Sequence, residues 1–371
     1  MDTPPYPWLT RALALLVMFA TPAWSQDGRT TRTLHPPGTQ FRQSLGQVLF
    51  SPTGSLYVAY RLVEENKTST VLRLVKIDPV RAKITAMTDY SVPQVRLPRI
   101  ASHFMLSEDS TVLAYAELHA PPVLLTLDPS TLKPLSSSER TLFASRDLGP
   151  HIKDFSGNSL VLSAEQCRAR RPITVEAVRE VALNPANLNQ VLSDRKMPLD
   201  DDPIDLEYWM KISGEDLSVV LPLERGALGF SDLKMHGWIH LFDSAGRTTD
   251  SLETRDCGVV KATLTLDRQF AVAVCERTIR EGFRQEKSFS RRALVLEVPS
   301  LRLVDSFSIS AMTLVEHGEQ SDDVWTAGPS PAIWRGNDTL LVATPDSSGT
   351  IKLYSLPLHK TETAQKQGKT P

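Results

Sequence analysis

The sequence predicts an all-β protein, a β-propeller of six four-stranded blades, and three observations carry that prediction. Short alternating segments of strand period recur throughout, among them Ser55–Tyr60, Thr111–Tyr115 and Phe270–Val274. They are rich in the β-branched and aromatic side chains that suit a pleated surface. Helical periodicity is nearly absent, and only the stretch around Ala186–Leu192 reads as a turn or two of helix. Small polar turn signals then punctuate the strands at regular intervals along most of the chain.

Those signals come in two kinds. A first hairpin in each unit turns at Ser51-Pro52-Thr53-Gly54, Ser107-Glu108-Asp109-Ser110, Ser156-Gly157-Asn158, Ser213-Gly214-Glu215-Asp216, Leu266-Asp267-Arg268-Gln269 and Gly336-Asn337-Asp338. These residues tolerate positive φ or bond their own backbone, as a tight strand reversal requires. A second hairpin turns at Asp78-Pro79, Asp128-Pro129, Asn184-Pro185, Asp243-Ser244-Ala245-Gly246 and Val298-Pro299. Proline fixes φ and cannot donate to a ladder, so it marks the reversal.

The first hairpin recurs near residues 50, 105, 154, 211, 264 and 333. This spacing is that of a radial repeat, longer than the roughly 40–45 residues of a WD40 blade. Two tight hairpins per unit make four strands, the number in a propeller blade. The run Phe50-Ser51-Pro52-Thr53-Gly54-Ser55-Leu56-Tyr57-Val58, followed by Leu72-Arg73-Leu74-Val75-Lys76-Ile77-Asp78, resembles the WD40-like or YVTN-like blades of exported bacterial propellers. The resemblance covers most of residues 40–357 and is generic: it implies a fold and says little about activity. The Gly-His and Trp-Asp signatures of WD40 blades are missing.

The sixth unit offers three strands, at Ala332–Trp334, Leu340–Ala343 and Ile351–Leu356, and no convincing fourth. Arg29–Leu34 is a spare strand at the other end of the chain. Pairing the two ends covers sheet edges that otherwise invite aggregation, so the N-terminal strand is expected to complete the last blade. Seven blades, with a degenerate unit inside 300–330, and a two-sheet sandwich are the alternatives.

Residues 1–25 read as a secretory signal. Arg11 precedes the apolar run Ala12–Ala20, and Ala23-Trp24-Ser25 places small residues before a cleavage point at Gln26. The run is about half the roughly 20 residues that span a bilayer, no lipid-attachment cysteine follows it, and no later stretch is a membrane span. Residues 26–357 are then the propeller, expected to be a secreted or periplasmic monomer, and 358–371 a disordered tail with Lys360, Lys366 and Lys369. In an oxidising compartment the three cysteines give one disulfide and one odd thiol. Cys257 and Cys275 flank a predicted hairpin and are the expected pair.

The 41 basic and 43 acidic side chains leave a net charge of -2, which removes the simple argument for nucleic-acid binding. Function is expected on the connections between second and third strands and between blades, which share one face of the disc. Two of these loops are basic. One carries Arg168, Arg170 and Arg171; the other carries Arg277, Arg280, Arg284, Lys287, Arg291 and Arg292 against Glu276, Glu281 and Glu286. Guanidinium forks suit carboxylate or phosphate, so an acidic protein or small anionic ligand is the partner class. A solvated charged surface is the plainer reading of both.

Two further loops are acidic: Asp200-Asp201-Asp202 with Asp205 and Glu207, and Glu316, Glu319, Asp322 and Asp323. Neither has the alternate spacing and glycine of a calcium loop, so no cofactor is expected and calcium is the one alternative. Trp209 and Trp325 fall in blade-connecting loops, where they either stack on a ligand or wedge between blades. His236 and His240 share a strand face without a carboxylate beside them. No HExxH, GxSxG, GxxxxGK or GxGxxG motif is present. The reading is an exported interaction module; a propeller enzyme of the quinoprotein, lactonase or lyase kind is the alternative.

Overall fold

The structure is a computed structural model that describes residues 29–35, 43–62, 69–93, 102–118, 122–144, 147–156, 158–167, 175–198, 206–231, 237–254, 257–280, 287–313, 330–346 and 349–358. The first strand, β1 (Thr30–Leu34), stands apart in sequence from the sheet it joins. Blade one is β2 (Gln43–Phe50), β3 (Leu56–Leu62), β4 (Ser69–Asp78) and β5 (Lys83–Pro93). Blade two is β6 (Ser102–Leu106), β7 (Leu113–Glu117), β8 (Val123–Leu127) and β9 (Pro134–Ser138), and blade three is β10 (Leu148–Ser156), β11 (Ser159–Cys167), β12 (Val175–Asn184) and β13 (Asn187–Met197). A helix, α1 (Leu206–Ser213), leads into blade four: β14 (Val219–Leu223), β15 (Gly226–Ser231), β16 (Trp238–Phe242) and β17 (Thr248–Glu253). Blade five is β18 (Gly258–Leu264), β19 (Phe270–Arg280), β20 (Lys287–Glu297) and β21 (Arg302–Thr313); β22 (Ala332–Arg335), β23 (Thr339–Pro345) and β24 (Ile351–Pro357) begin blade six.

All six sheets are four-stranded meanders, and the sixth has the order β1-β24-β23-β22. The N-terminal strand therefore closes the last blade, with Thr30 opposite Ser355 and Leu34 opposite Ile351. The architecture is the six-bladed propeller that the repeat predicts. Its closing strand is held from both sides. Arg29 reaches Asp305 of blade five at 3.0 Å and lies 5.0 Å from the Phe307 ring, and Arg32 donates to the Val80 carbonyl in blade one.

The turns show why an Asp or Asn precedes proline. Asp128 Oδ1 accepts from the Ser130 and Thr131 amides, each at 2.8 Å, and Asp78 does the same for Val80 and Arg81. The side chain supplies the bonds that a reversing backbone lacks. Hydrogen bonds from Ser130 and Thr131 hold the Asp128 carboxyl down at about 2. The prolines do a second job at the seams. Tyr57 of blade one donates to the Pro129 carbonyl of blade two at 2.9 Å, and Thr126 of blade two to the Pro185 carbonyl of blade three at 2.7 Å.

Alternation along each second strand builds the core between blades. Leu56, Val58 and Tyr60 face blade six while Tyr57 and Ala59 face blade two, and all five are buried. Full burial of one such large apolar side chain contributes roughly 1.5–3 kcal/mol, and the pattern repeats blade by blade. Among the described residues, apolar clusters join blades six and one, one and two, two and three, four and five, and five and six.

The junction of blades three and four is built differently. Leu228, Phe230 and Ile239 of blade four face blade five, so Ala227 and Phe242 face blade three, and these carry α1. Trp209 of the helix lies 6.0 Å from the Phe242 ring and is buried. The corresponding side of blade three carries buried polar groups beside Val178: Ser163, and Glu180 held between Lys153 and Arg195.

Two sequence expectations are corrected here. Residues 213–216 are not a strand turn: Ser213 ends α1, and Gly214, at φ 71°, caps the helix by donating to the Met210 carbonyl. Blade four reverses instead at Glu224-Arg225. The stretch Ala186–Leu192 is not helical: Ala186 lies in the turn and Asn187–Leu192 begin β13. A bulge near Leu183 breaks the strand alternation of 182–192, and a capping glycine looks like a turn glycine in one dimension.

Candidate binding face

The strand bounds divide the disc into two unlike faces. First-to-second and third-to-fourth strand turns are short, from two to six residues. The other connections run up to 21 residues between β13 and β14 and 18 between β21 and β22, and all leave from the opposite face. A first-to-fourth strand order forces this, since strands alternate in direction and the two kinds of connection emerge at opposite ends.

Blade five departs most from its neighbours on that face. Pairing of β18 with β19 ends at Gly258–Glu276, but β19 and β20 continue together to Arg280–Lys287. Four more residue pairs at about 3.3 Å each carry this hairpin roughly 13 Å past the inner strand. Arg277, Arg280 and Lys287 are on the extension, and Arg284 falls in 281–286, outside the described residues.

At the root of the hairpin the charges are partnered. Arg291 and Glu276 are directly opposed across β19 and β20 and form an ion pair, with side chains 19% and 10% exposed. Arg292, on the other side of the strand, is exposed and donates to the Ser306 hydroxyl at 2.6 Å. Arg291 is therefore part of the blade's internal structure, which corrects the expectation that it offers a free guanidinium to a partner. Lys261 of β18 sits beside this pair. Burial, and then the Arg291 charge, bring its ammonium down to about 8 against the opposing pull of Glu276.

Trp209 is likewise placed by the fold. It belongs to an aromatic series along the side of blade four that faces blade three: Tyr208, Trp209, Phe242, His240 and Trp238, with neighbouring ring centres 5.7 to 6.2 Å apart. Its ring is buried in that series and is not presented to solvent. Burial lowers the His240 imidazole below its ordinary value, although Glu215 opposes the shift, and among the described residues its Nδ1 has no hydrogen-bond partner. The helical spacing of Leu206, Trp209, Met210 and Ser213 was the available signal for α1, but two turns are too short to stand out.

The other sequence candidates lie outside the described residues: Arg168, Arg170, Arg171, Trp325, His236, Asp200–Asp202, Asp205 and the acidic stretch at 316–323, together with the segment 1–28 that holds the signal sequence. Among the described residues no three His, Cys, Asp or Glu side chains gather into a metal-sized group. No described helix is long and apolar enough to cross a membrane. Cys257 and Cys275 form the expected disulfide, with Cα atoms 5.5 Å apart, and staple the first hairpin of blade five beneath the basic extension.

No family model matches the chain, and no curated protein matches it. Among solved structures it is similar to the β-propeller domain of Cps50 (Swd1) from Myceliophteria thermophila, at 10% identity and a TM-score of 0.39 over 87% of this chain and 98% of that one. It is also similar to a chain of the mitotic checkpoint complex, at 8% identity and a TM-score of 0.37 over 88% and 94% of the two chains. The propeller assignment rests on the strand order and the blade-to-blade seams of this chain.

Proposed function

We propose that this protein is an exported interaction module that binds an acidic protein partner, or a smaller anionic ligand, through its loop-rich face. The observation that carries the reading is the raised β19–β20 hairpin. It lifts Arg277, Arg280 and Lys287 beyond the inner strand, on the same face as every long connection. Guanidinium groups carried on such a strand extension suit carboxylates. The disulfide at the base of the arm supports an oxidising compartment, in keeping with a signal at 1–25, a binding domain at 26–357 and a tail at 358–371.

The test is crosslinking of the tagged protein in its native envelope, followed by mass spectrometry. A partner recovered near one-to-one, with crosslinks in 168–171, 276–292 or 312–330, supports the reading. Crosslinks confined to the tight-turn face contradict it. Recovery of the protein alone also counts against the protein partner and directs the search to small anions.

A further inference from the structure

The third-to-fourth strand turn of a blade lies against the blade before it, and its last residue can plug the seam. Leu132 of blade two and Leu301 of blade five do so, at φ 59° and 45°, buried against blades one and four. Blade one has Ala82 at this place, at φ 53° and exposed. Its seam with blade six therefore lacks the leucine.

The row that faces this turn is different as well. Trp334, Leu341, Ser355 and Thr30 stand opposite one another across the four strands of blade six. By register, Tyr57 of blade one holds the place of Leu341, and its hydroxyl crosses to the Pro129 carbonyl. Thr126 and Ser136 of blade two hold the places of Ser355 and Thr30. They too close their seam directly, Thr126 donating to the Pro185 carbonyl and Ser136 accepting from the Leu188 amide. Among the described residues, neither Ser355 nor Thr30 bonds to the 79–82 turn; Arg32 alone does, through the Val80 carbonyl.

A cavity of about 290 Å³ results, floored by this row and roofed by Pro79 and Val80. Trp334 is its fixed wall. The indole Nε1–H donates to the Pro52 carbonyl at 3.0 Å, and the ring lies against Gly54 and Gly336, where an added Cβ would meet it at 2.9 Å. The remaining lining is polar without a carboxylate: the hydroxyls of Thr30, Ser355 and Thr339, the Asn337 amide and Arg32. A second cavity of about 290 Å³ shares Pro79, Val80 and Trp334 and continues towards Ser55 and Lys76.

We propose that this cleft is a carbohydrate site, taking one uncharged pyranose ring stacked on Trp334. Hydroxyl and amide side chains both donate and accept, as sugar hydroxyls do, and four of them gather here. The indole supplies the flat apolar surface that the C–H face of a sugar ring covers. A purely apolar ligand would strip water from those hydroxyls and return no bond. The adjoining cavity gives a second sugar unit room beyond the indole. The site opens on the tight-turn face and does not rest on the partner surface proposed above.

The test applies the purified protein to an array of neutral oligosaccharides built from glucose, galactose, mannose and N-acetylglucosamine, and titrates each hit in solution. At least one should bind. Trp334→Ala should weaken it about tenfold, the worth of one aromatic contact. Ala82→Leu restores the plug that blades two and five carry at the same positive φ, and should abolish binding while keeping the melting temperature. Binding to none of the sugars overturns the proposal. Binding that survives both substitutions puts the sugar elsewhere and overturns it too. A hydrophobic dye displaced by Ala82→Leu, with no sugar bound, marks an apolar pocket and overturns the carbohydrate class. If Trp334→Ala does not fold, Ala82→Leu decides.

Discussion

Arg61 of β3 and Glu117 of β7 meet as a two-pronged ion pair in the seam between blades one and two, with the Arg61 Nε 3.0 Å from Glu117 Oε1 and both side chains almost wholly out of water. The Tyr115 hydroxyl donates to the same carboxylate, and burial, reinforced by Glu117, pushes that phenol well above its ordinary range. This pair occupies the end of its seam nearest the loop-rich face, in line with the apolar rows of Tyr57, Ala59, Leu113 and Tyr115. Breaking it should be expensive because either survivor is a buried charge. Glu117→Gln or Arg61→Met is expected to cost about 3–5 kcal/mol by urea unfolding, whereas Arg61→Met with Glu117→Leu should return close to wild type. A double variant no better than the singles would show that the pair is not the unit.

The closing strand gives a second prediction. Removing residues 26–38 leaves β24 with an open edge and takes away Leu34, which is buried in the blade six and blade one cluster. The melting temperature should fall sharply, and light scattering should rise as edges pair between molecules. Arg32→Ala is the milder form. It removes one charged donor from the Val80 carbonyl and should cost about 1 kcal/mol. An unchanged melt after the deletion would mean that β1 adds nothing to closure.

Reduction should act locally and measurably. The Cys257–Cys275 bond closes a segment with a sequence separation of 18, and a loop of that size constrains the unfolded chain by roughly 3 kcal/mol. Cys257→Ser, or wild type with reductant, should lose about that much in urea unfolding. Equal stability with and without reductant would mean that the bond is absent in solution.

The Lys261 ammonium makes stability depend on pH in a defined window. Its folded value of about 8 lies below its ordinary 10.5, so between these limits the unfolded chain binds more protons. The free energy of unfolding should therefore rise from pH 8 to pH 10.5 through this group, with the penalty fully present below 8. Among the described residues, Glu276, Arg291 and Thr344 are the polar groups near it, and Lys261→Met should remove the rise. Parallel pH profiles for wild type and the variant would contradict the placement.

What the sequence made legible was local. The Asp-Pro and Asn-Pro turns could be read because the side chain and ring that make the turn are adjacent in the chain, and the unbroken apolar run Leu56-Tyr57-Val58-Ala59-Tyr60 fits a strand buried on both faces. Closure by Thr30–Leu34 could be read because a three-stranded last unit leaves an edge that needs a partner. The seams were opaque for the converse reason. Arg61 and Glu117 are 56 residues apart, and neither carries a mark of the other. Arg291 looked like one more basic loop residue until the β19–β20 register set it opposite Glu276. Trp209 looked like loop because its helix spans two turns, and its ring is explained only by Phe242 of the following blade.

The central claim is that partners engage the loop-rich face. Site-specific photocrosslinkers test it most directly, placed at 277, 280 or 287 on that face and at 80, 225 or 268 on the tight-turn face, in the native envelope. The account predicts adducts from the first set that weaken with salt and with Arg284→Glu, and none from the second. Adducts only from the second set, or adducts indifferent to Arg284→Glu and to salt, would contradict it.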